Sequence, residues 1–220
     1  MSNQASENPF CTRRVRPGAI PFVFPDGQDA ETLVQRLQQS GWWGEIVGGH
    51  GAGKSALLAT LIPQIELTGR RAVLVELHDG QRRLPLDINR DSRLRPPMVL
   101  IVDGYEQLSR WRRFLLKRRC RRRGWGLLVT AHTPVGLPEL YRTAATPDLA
   151  ERIVGQLMKG QASPFTAAEL AERFARHDGN LRETLFDLYD LYEQRRSFDS
   201  APKSNGESPR EVVGVPGHHP

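Results

Sequence analysis

Cysteine is scarce in this sequence of 220 residues, which holds two, Cys11 and Cys120. They stand far apart, so they build no disulfide framework, and a reduced, cytoplasmic setting is expected. Long apolar runs are missing as well. The longest, "MVLIV" at 98–102, is far short of the roughly 20 residues that cross a bilayer. The opening "MSNQASENPF" has neither the basic segment nor the apolar run of a secretory signal. No internal repeat is present.

Acidic residues are absent from 110–123, "RWRRFLLKRRCRRR", which carries nine Lys or Arg. Because the whole chain has a net charge of +6, the remainder carries a net −3: a slightly acidic body with one basic element. The hydrophobic share of 39% and the charged share of 25% are those of a globular protein, and this length buries one substantial core plus a small annex.

What is there is an alternation of elements. After a polar, irregular arm at 1–19, "IPFVFP" reads as a short extended piece, held off a sheet centre by its prolines. An amphipathic helix follows, with Leu33, Val34 and Leu37 at helical spacing and Gly41 at its end. Strands are expected at 42–47, 71–77, 97–103 and 126–132, with a last one at "RTAAT", 142–146, and helices at 55–67 and over the basic segment. Residues 78–97 read as an insertion loop. This pattern predicts an α/β fold, a mostly parallel sheet between two helix layers. Beyond Pro147 only helices are expected: 148–158, 166–177 and 180–196, with capping-box spacing at Thr166/Glu169 and Asn180/Glu183. The organisation is thus an arm to 19, a core at 20–146, a helical lid at 147–196 and a Ser-, Pro- and Gly-rich disordered tail at 197–220.

The chemistry concentrates in "EIVGGHGAGKS", 45–55. Gly48, Gly53, Lys54 and Ser55 satisfy G-x-x-x-x-G-K-[ST] between an apolar strand and a helix. Backbone N–H groups of Gly48, Gly49, His50, Gly51, Ala52 and Gly53, with Ser55 and Ala56 at the helix start, can turn inward around phosphate oxygens while the helix dipole faces them. Lys54 would reach the outer phosphates and the Ser55 hydroxyl would ligate magnesium. Asp103, ending "MVLIVD", is the second candidate metal ligand, since an ionised Asp after an apolar strand is costly unless it meets solvent or a cation.

With these residues the stretch from 42 to 196 resembles the P-loop NTPases. A strand between the loop-bearing strand and the Asp103 strand, with an acid soon after Asp103, is similar to the additional-strand, catalytic-glutamate division rather than to GTPases or small-molecule kinases. "DGYEQL" is similar to the DG-x-[DE] form of STAND-type and NACHT-type ATPases; many AAA+ proteins place the glutamate directly after the aspartate, where this chain has Gly104. The resemblance implies ATP and Mg2+ as ligands and Glu106 as the group that polarises water. Thr130 and His132 in "LLVTAHTP" stand where those families carry a polar sensor. The histidine also suits a transporter ATPase, but no LSGGQ-like signature precedes the Asp103 strand. "GNLRE", 179–183, is similar to the lid motif whose arginine senses the γ-phosphate, which points to Arg182; a cation in the first turn of a helix is also not favoured there by the dipole. Arg142 stands where a neighbour-facing arginine finger would, so a homo-oligomer is among the implied partners. The segment upstream of 25 is where related ATPases pack on the adenine, and it resembles a group of small bacterial ATPases.

The basic segment leaves three readings open. Leu108, Trp111, Leu115 and Leu116 are expected toward one inward side with most arginines outward. That surface suits nucleic acid phosphates, an acidic protein or anionic membrane surface, or solvent alone. Trp111 and Trp125 are the candidates for base stacking. Two functional classes follow: an ATPase that turns hydrolysis into conformational change, or a nucleotide-gated switch with little turnover. A small-molecule kinase would carry an arginine-rich lid before the last strands, which the helices after Pro147 fit poorly.

Overall fold

The structure, a computed structural model, describes residues 8–11, 21–25, 27–78, 80–85, 94–159 and 163–200. The expected arm at 1–7 and 12–19 and the expected tail at 201–220 lie outside the described residues.

Helix α1 (Ala30–Gln39) starts at Asp29, whose carboxylate accepts from Thr32 N at 2.7 Å. There follow β1 (Trp43–Val47), α2 (Lys54–Leu67), β2 (Arg71–Glu76), β3 (Met98–Asp103), a 3-10 turn (Tyr105–Gln107), α3 (Arg110–Arg123), β4 (Gly126–Ala131) and β5 (Glu139–Arg142). The sheet order is β2-β3-β4-β1-β5 and every pair is parallel. β2 separates β1 from β3 in sequence, but β4 separates them in space. Strand alternation sorts the core into two layers. Val99, Ile101 and Leu128 face α1 and α2, against Leu33, Leu37, Leu57, Leu58 and Leu61. Met98, Leu100, Val102, Leu127 and Val129 face α3, against Leu116 and Cys120. Burial pushes the Cys120 thiol up to about 12, so it stays neutral and serves as an apolar filler.

Two expectations are corrected here. The last strand is "ELYR", not "RTAAT". Ile46 and Val47 pair with Tyr141 and Arg142, Leu140 is buried, and Thr146 is already the cap of the next helix, accepting from Leu149 N at 3.2 Å. On α3, Trp111 and Leu115 do not turn inward. The sheet meets Leu116 and Cys120, one turn apart, and Trp111 lies about 140° round the helix from Leu116. Leu108 is buried from outside the helix, ahead of the cap Ser109, so its phase says nothing about the helix face.

The helical unit comprises α4 (Pro147–Leu157), α5 (Ala167–Arg176) and α6 (Leu181–Ser200). The Thr166/Glu169 capping box has both of its bonds, and Asn180 Oδ1 accepts from Glu183 N at 3.3 Å at the start of α6. α6 runs four residues past the expected 196, taking the first residues assigned to the tail. Its carboxylate Asp187 joins the helices through Arg173 and His177. The arm is not loose throughout. Phe10 is fully buried among Phe165, Leu170, Leu185 and Tyr192, and Asn8 Nδ2 donates to Glu193 Oε1 at 2.7 Å and to Tyr189 O at 3.2 Å. Farther along, Phe22 and Phe24 pack edge-on against Tyr141 of the edge strand β5. No helix among the described residues is long and apolar enough to cross a membrane.

Removing a fully buried phenyl ring leaves a cavity in the helical unit. Phe10→Ala is therefore expected to cost about 3 kcal/mol or more in a denaturant titration, whereas a loose arm would tolerate it without change.

Candidate functional site

Asp103 sits at the C-terminal end of β3, where the strand leaves the core. Its carboxylate is gripped from two sides: Ser55 Oγ, in the first turn of α2, donates to Oδ2 at 2.6 Å, and Thr130 Oγ1, near the end of β4, donates to Oδ1 at 2.5 Å. The Thr130 hydroxyl in turn accepts from Gly104 N at 2.9 Å. Thr130 is fully buried, so it acts on the cavity through Asp103. Lys54 Nζ donates to Gly48 O at 2.8 Å and Gly49 O at 2.7 Å. Burial holds its ammonium below the usual lysine range, while Glu106 and Asp103 act in the opposite sense.

The turn after Asp103 decides where the next acid stands. Gly104 has φ +80, and a Cβ there would meet Leu77 O at 2.6 Å. A side chain directly after the aspartate would clash there, and the acid comes three residues after Asp103, from the 3-10 turn. Glu106 Oε1 lies 3.4 Å from His132 Nε2, and Oε2 is buried with no hydrogen-bond partner among the described residues. The centroid of the His132 ring lies 3.8 Å from that of His50, a glycine-loop residue, with the two rings tilted at 48°. Composition and spacing did not foretell this contact, because neither histidine signals the other across 82 residues.

One cavity of about 640 Å3 collects these groups. His50, Gly51, Ala52, Gly53, Lys54, Ser55 and Ala56 line it with Asp103, Glu106, Thr130 and His132; Phe22 and Val23 close one side and Ile153, Leu181 and Leu185 of the helical unit another. Arg182 lines it too, and neither Asp178 nor Glu183 pairs with it. Gly51, with φ +65, lets the lid approach: a Cβ there would overlap Asn180 Oδ1, the cap of α6. Gly48 and Gly49 enter through their carbonyls. Arg142 lies outside the lining and pairs with Glu139 on the surface. Trp125 is not available for stacking; it is 2% exposed beneath Arg123.

Ser55 and Asp103 offer two hard oxygen donors side by side, and no group of three or more His, Cys, Asp or Glu able to hold a metal occurs among the described residues. That set is too small for a cage made of protein alone. It fits Mg2+, which keeps several waters and takes further oxygens from phosphate.

No family model matches the chain, and no curated protein matches it. Solved structures do. The chain is similar to an Orc1 protein of Aeropyrum pernix in complex with DNA (TM-score 0.62, 18% identity, 84% of this chain and 64% of that one). It is also similar to Cdc6p of Pyrobaculum aerophilum (0.59, 15%, 86% and 66%). Domain III of the Thermotoga maritima replication initiation protein DnaA also matches (0.51, 14%, 81% and 88%). The chain has the three-layer P-loop NTPase fold. At these identities the likeness is one of fold, and the chain spans just under two thirds of the length of the Orc1 and Cdc6p structures.

Gly104→Ala would force a left-handed backbone on a side chain and drive its Cβ into Leu77 O. A loss of about 2 kcal/mol is expected in thermal or denaturant melting, and an unchanged melt would show that the turn yields.

Proposed function

We propose that the chain is an ATP-binding ATPase of the AAA+ and STAND-like division, cytoplasmic, which couples hydrolysis to movement of its helical lid. The observation that carries this reading is the Asp103 carboxylate held 2.6 Å from the Ser55 hydroxyl, in one cavity with Lys54, Glu106 and Arg182. Lys54 would exchange the Gly48 and Gly49 carbonyls for the outer phosphates, and the loop amides would take the remaining oxygens. Bound magnesium would neutralise charge on the phosphate oxygens, with Ser55 and Asp103 as its protein ligands and Thr130 fixing the carboxylate. Glu106 would orient the attacking water, with His132 beside it as a sensor of its position. Arg182 would meet the γ-phosphate from α6, so that phosphate loss frees the lid. The aromatic pair Phe22 and Phe24 leads into the wall that would cover the adenine. Arg142, exposed at the end of β5, would face a neighbouring subunit in a homo-oligomer rather than its own nucleotide. The movement would act on a nucleic acid or a partner protein through α3, and the similarity to a DNA-bound Orc1 protein supports the former.

A second reading, a nucleotide-gated switch that binds ATP with little turnover, draws on a specific contact. Glu106 Oε1 lies 3.4 Å from His132 Nε2, so an attacking water would compete with the histidine for that oxygen.

Phosphate release separates the two. Lys54→Ala and removal of divalent metal with chelator are each expected to abolish release, and Glu106→Gln to lower it about 100-fold or more while nucleotide binding persists. Wild-type release no higher than that of Lys54→Ala would leave the switch reading alone standing. Full activity in Glu106→Gln would move the base elsewhere.

A further inference from the structure

The outward face of α3 is not a plain arginine surface. Trp111 is 67% exposed, Phe114 53% and Leu115 44%, the largest group of exposed apolar side chains among the described residues. The two rings lie 5.8 Å apart and nearly parallel, at 26°. Of the nine cations, four are spent internally. Arg113 donates to Leu108 O and Glu106 O, each at 2.7 Å, and Lys117 donates to Val135 O at 2.9 Å. Arg121 and Arg123 lie over the rings of Trp43 and Trp125. Of the other five, Arg110 and Arg112 lie in the first turn, and Arg118, Arg119 and Arg122 are exposed along the helix with no ion pair among the described residues. The last three share a face with the rings, because Phe114, Arg118 and Arg122 are four apart, as are Trp111, Leu115 and Arg119. At the far end Arg121 over Trp43 and Arg70 over Trp42 surround a second cavity of about 260 Å3, so arginines run between two sets of aromatic faces.

We propose that this face of α3 is a docking track for single-stranded nucleic acid, with bases stacked on Trp111 and Phe114 and phosphates on Arg118, Arg119 and Arg122. Charge alone would accept any polyanion; the exposed flat rings select one whose bases are free to stack. A duplex keeps its bases paired and offers the rings only its backbone. An acidic peptide offers carboxylates and no flat partner. A membrane surface would need the apolar stripe and the cations on opposite faces, whereas here burying Phe114 in acyl chains would drag Arg118 with it. A second copy of α3 is disfavoured by the density of like charge. The inference rests on α3 as the surface through which the protein acts and is independent of hydrolysis.

The test is anisotropy of the full chain with three probes: a labelled oligothymidylate of about 20 nucleotides, a duplex of equal length and phosphatidylserine vesicles. Wild type is expected to bind the oligothymidylate about 10-fold more tightly than the duplex and to leave the vesicles unbound. Trp111→Ala/Phe114→Ala is expected to weaken oligothymidylate binding about 10-fold or more and duplex binding less than about twofold. Arg118→Ala/Arg122→Ala should weaken both and flatten the salt dependence for the single strand by about one unit of slope. These side chains are exposed, so phosphate release and melting should stay at wild-type values and certify folding. Unchanged single-strand binding in the ring variant, a duplex bound as well as the single strand, capture by vesicles, or no binding at all would each overturn the proposal. Lys54→Ala, which should stop phosphate release, should still bind the oligothymidylate; loss of one property without the other shows which of the two readings has failed.

Discussion

The carboxylate of Asp103 is the point on which the site depends. A charged group at the end of five buried strand residues is tolerable only when its oxygens are satisfied, and they are met by hydroxyls from α2 and β4. Those two bonds fix three elements at once: β3, which carries the acid, α2, which follows the glycine loop, and β4, which lies between β3 and the loop-bearing β1 in the sheet. The loop's position relative to β3 is fixed by these hydrogen bonds together with the packing of Leu57, Leu58 and Leu61 against Val99 and Ile101. Gly104 completes the arrangement, because its N–H donates to the same threonine hydroxyl that holds Asp103. The left-handed turn there carries Glu106 over the cavity.

The helical unit is attached to this cavity from both ends of the chain. Asn180 caps α6 and touches the glycine loop at Gly51, so the first turn of α6, with Arg182, is set against that loop. Phe10 and Asn8 fasten the N-terminal segment to the same helices, through rings at 5.5 Å to Phe165 and a bond to Glu193. Residues 21–25 reach the core instead, where Phe22 N donates to Thr60 Oγ1 of α2 at 3.1 Å and the Phe22 ring lines the cavity. They also touch the helical unit, through Val23 and through Arg152 of α4, which donates to Phe24 O at 3.4 Å. The stability of the lid includes a contribution from residues more than 150 positions away in sequence.

Much of this was legible in the sequence, for physical reasons that differ by element. The central strands were clear because burial on both faces demands continuous apolar runs, as in β3 and β4. The glycine loop was clear because its chemistry needs contiguous residues. β5 was missed since a four-residue edge strand needs only Leu140 buried and shows no run. The face of α3 was misread because Leu108 was counted in the helical phase although it precedes the cap. Cys120, the better anchor, does not announce itself among arginines. Glu45 gave no signal: it is buried on β1, where its carboxylate accepts from Val135 N at 3.0 Å and Leu137 N at 2.9 Å and braces the turn before β5. Contacts between distant positions, such as Phe10 with the lid or His50 with His132, have no local pattern to read.

The wall of the cavity that bears Glu106 is tied directly to the basic helix. Arg113 of α3 donates to the carbonyls of Glu106 and Leu108 and lies over the Tyr105 ring at 5.5 Å, so the turn bearing Glu106 is bolted to the first turns of α3. Tyr105 is fully buried beneath it, with burial raising its hydroxyl well above the usual tyrosine range, so it stays neutral. Four residues separate Glu106 from Trp111, and each belongs to an element or its cap: Gln107 ends the 3-10 turn, Leu108 caps it, Ser109 caps α3 and Arg110 starts it. The Glu106 carboxylate is also the least satisfied group in the cavity, with one oxygen 3.4 Å from His132 and the other without a partner among the described residues. The turn that bears this carboxylate is thus joined, through Arg113, to the helix that carries the outward arginines and rings.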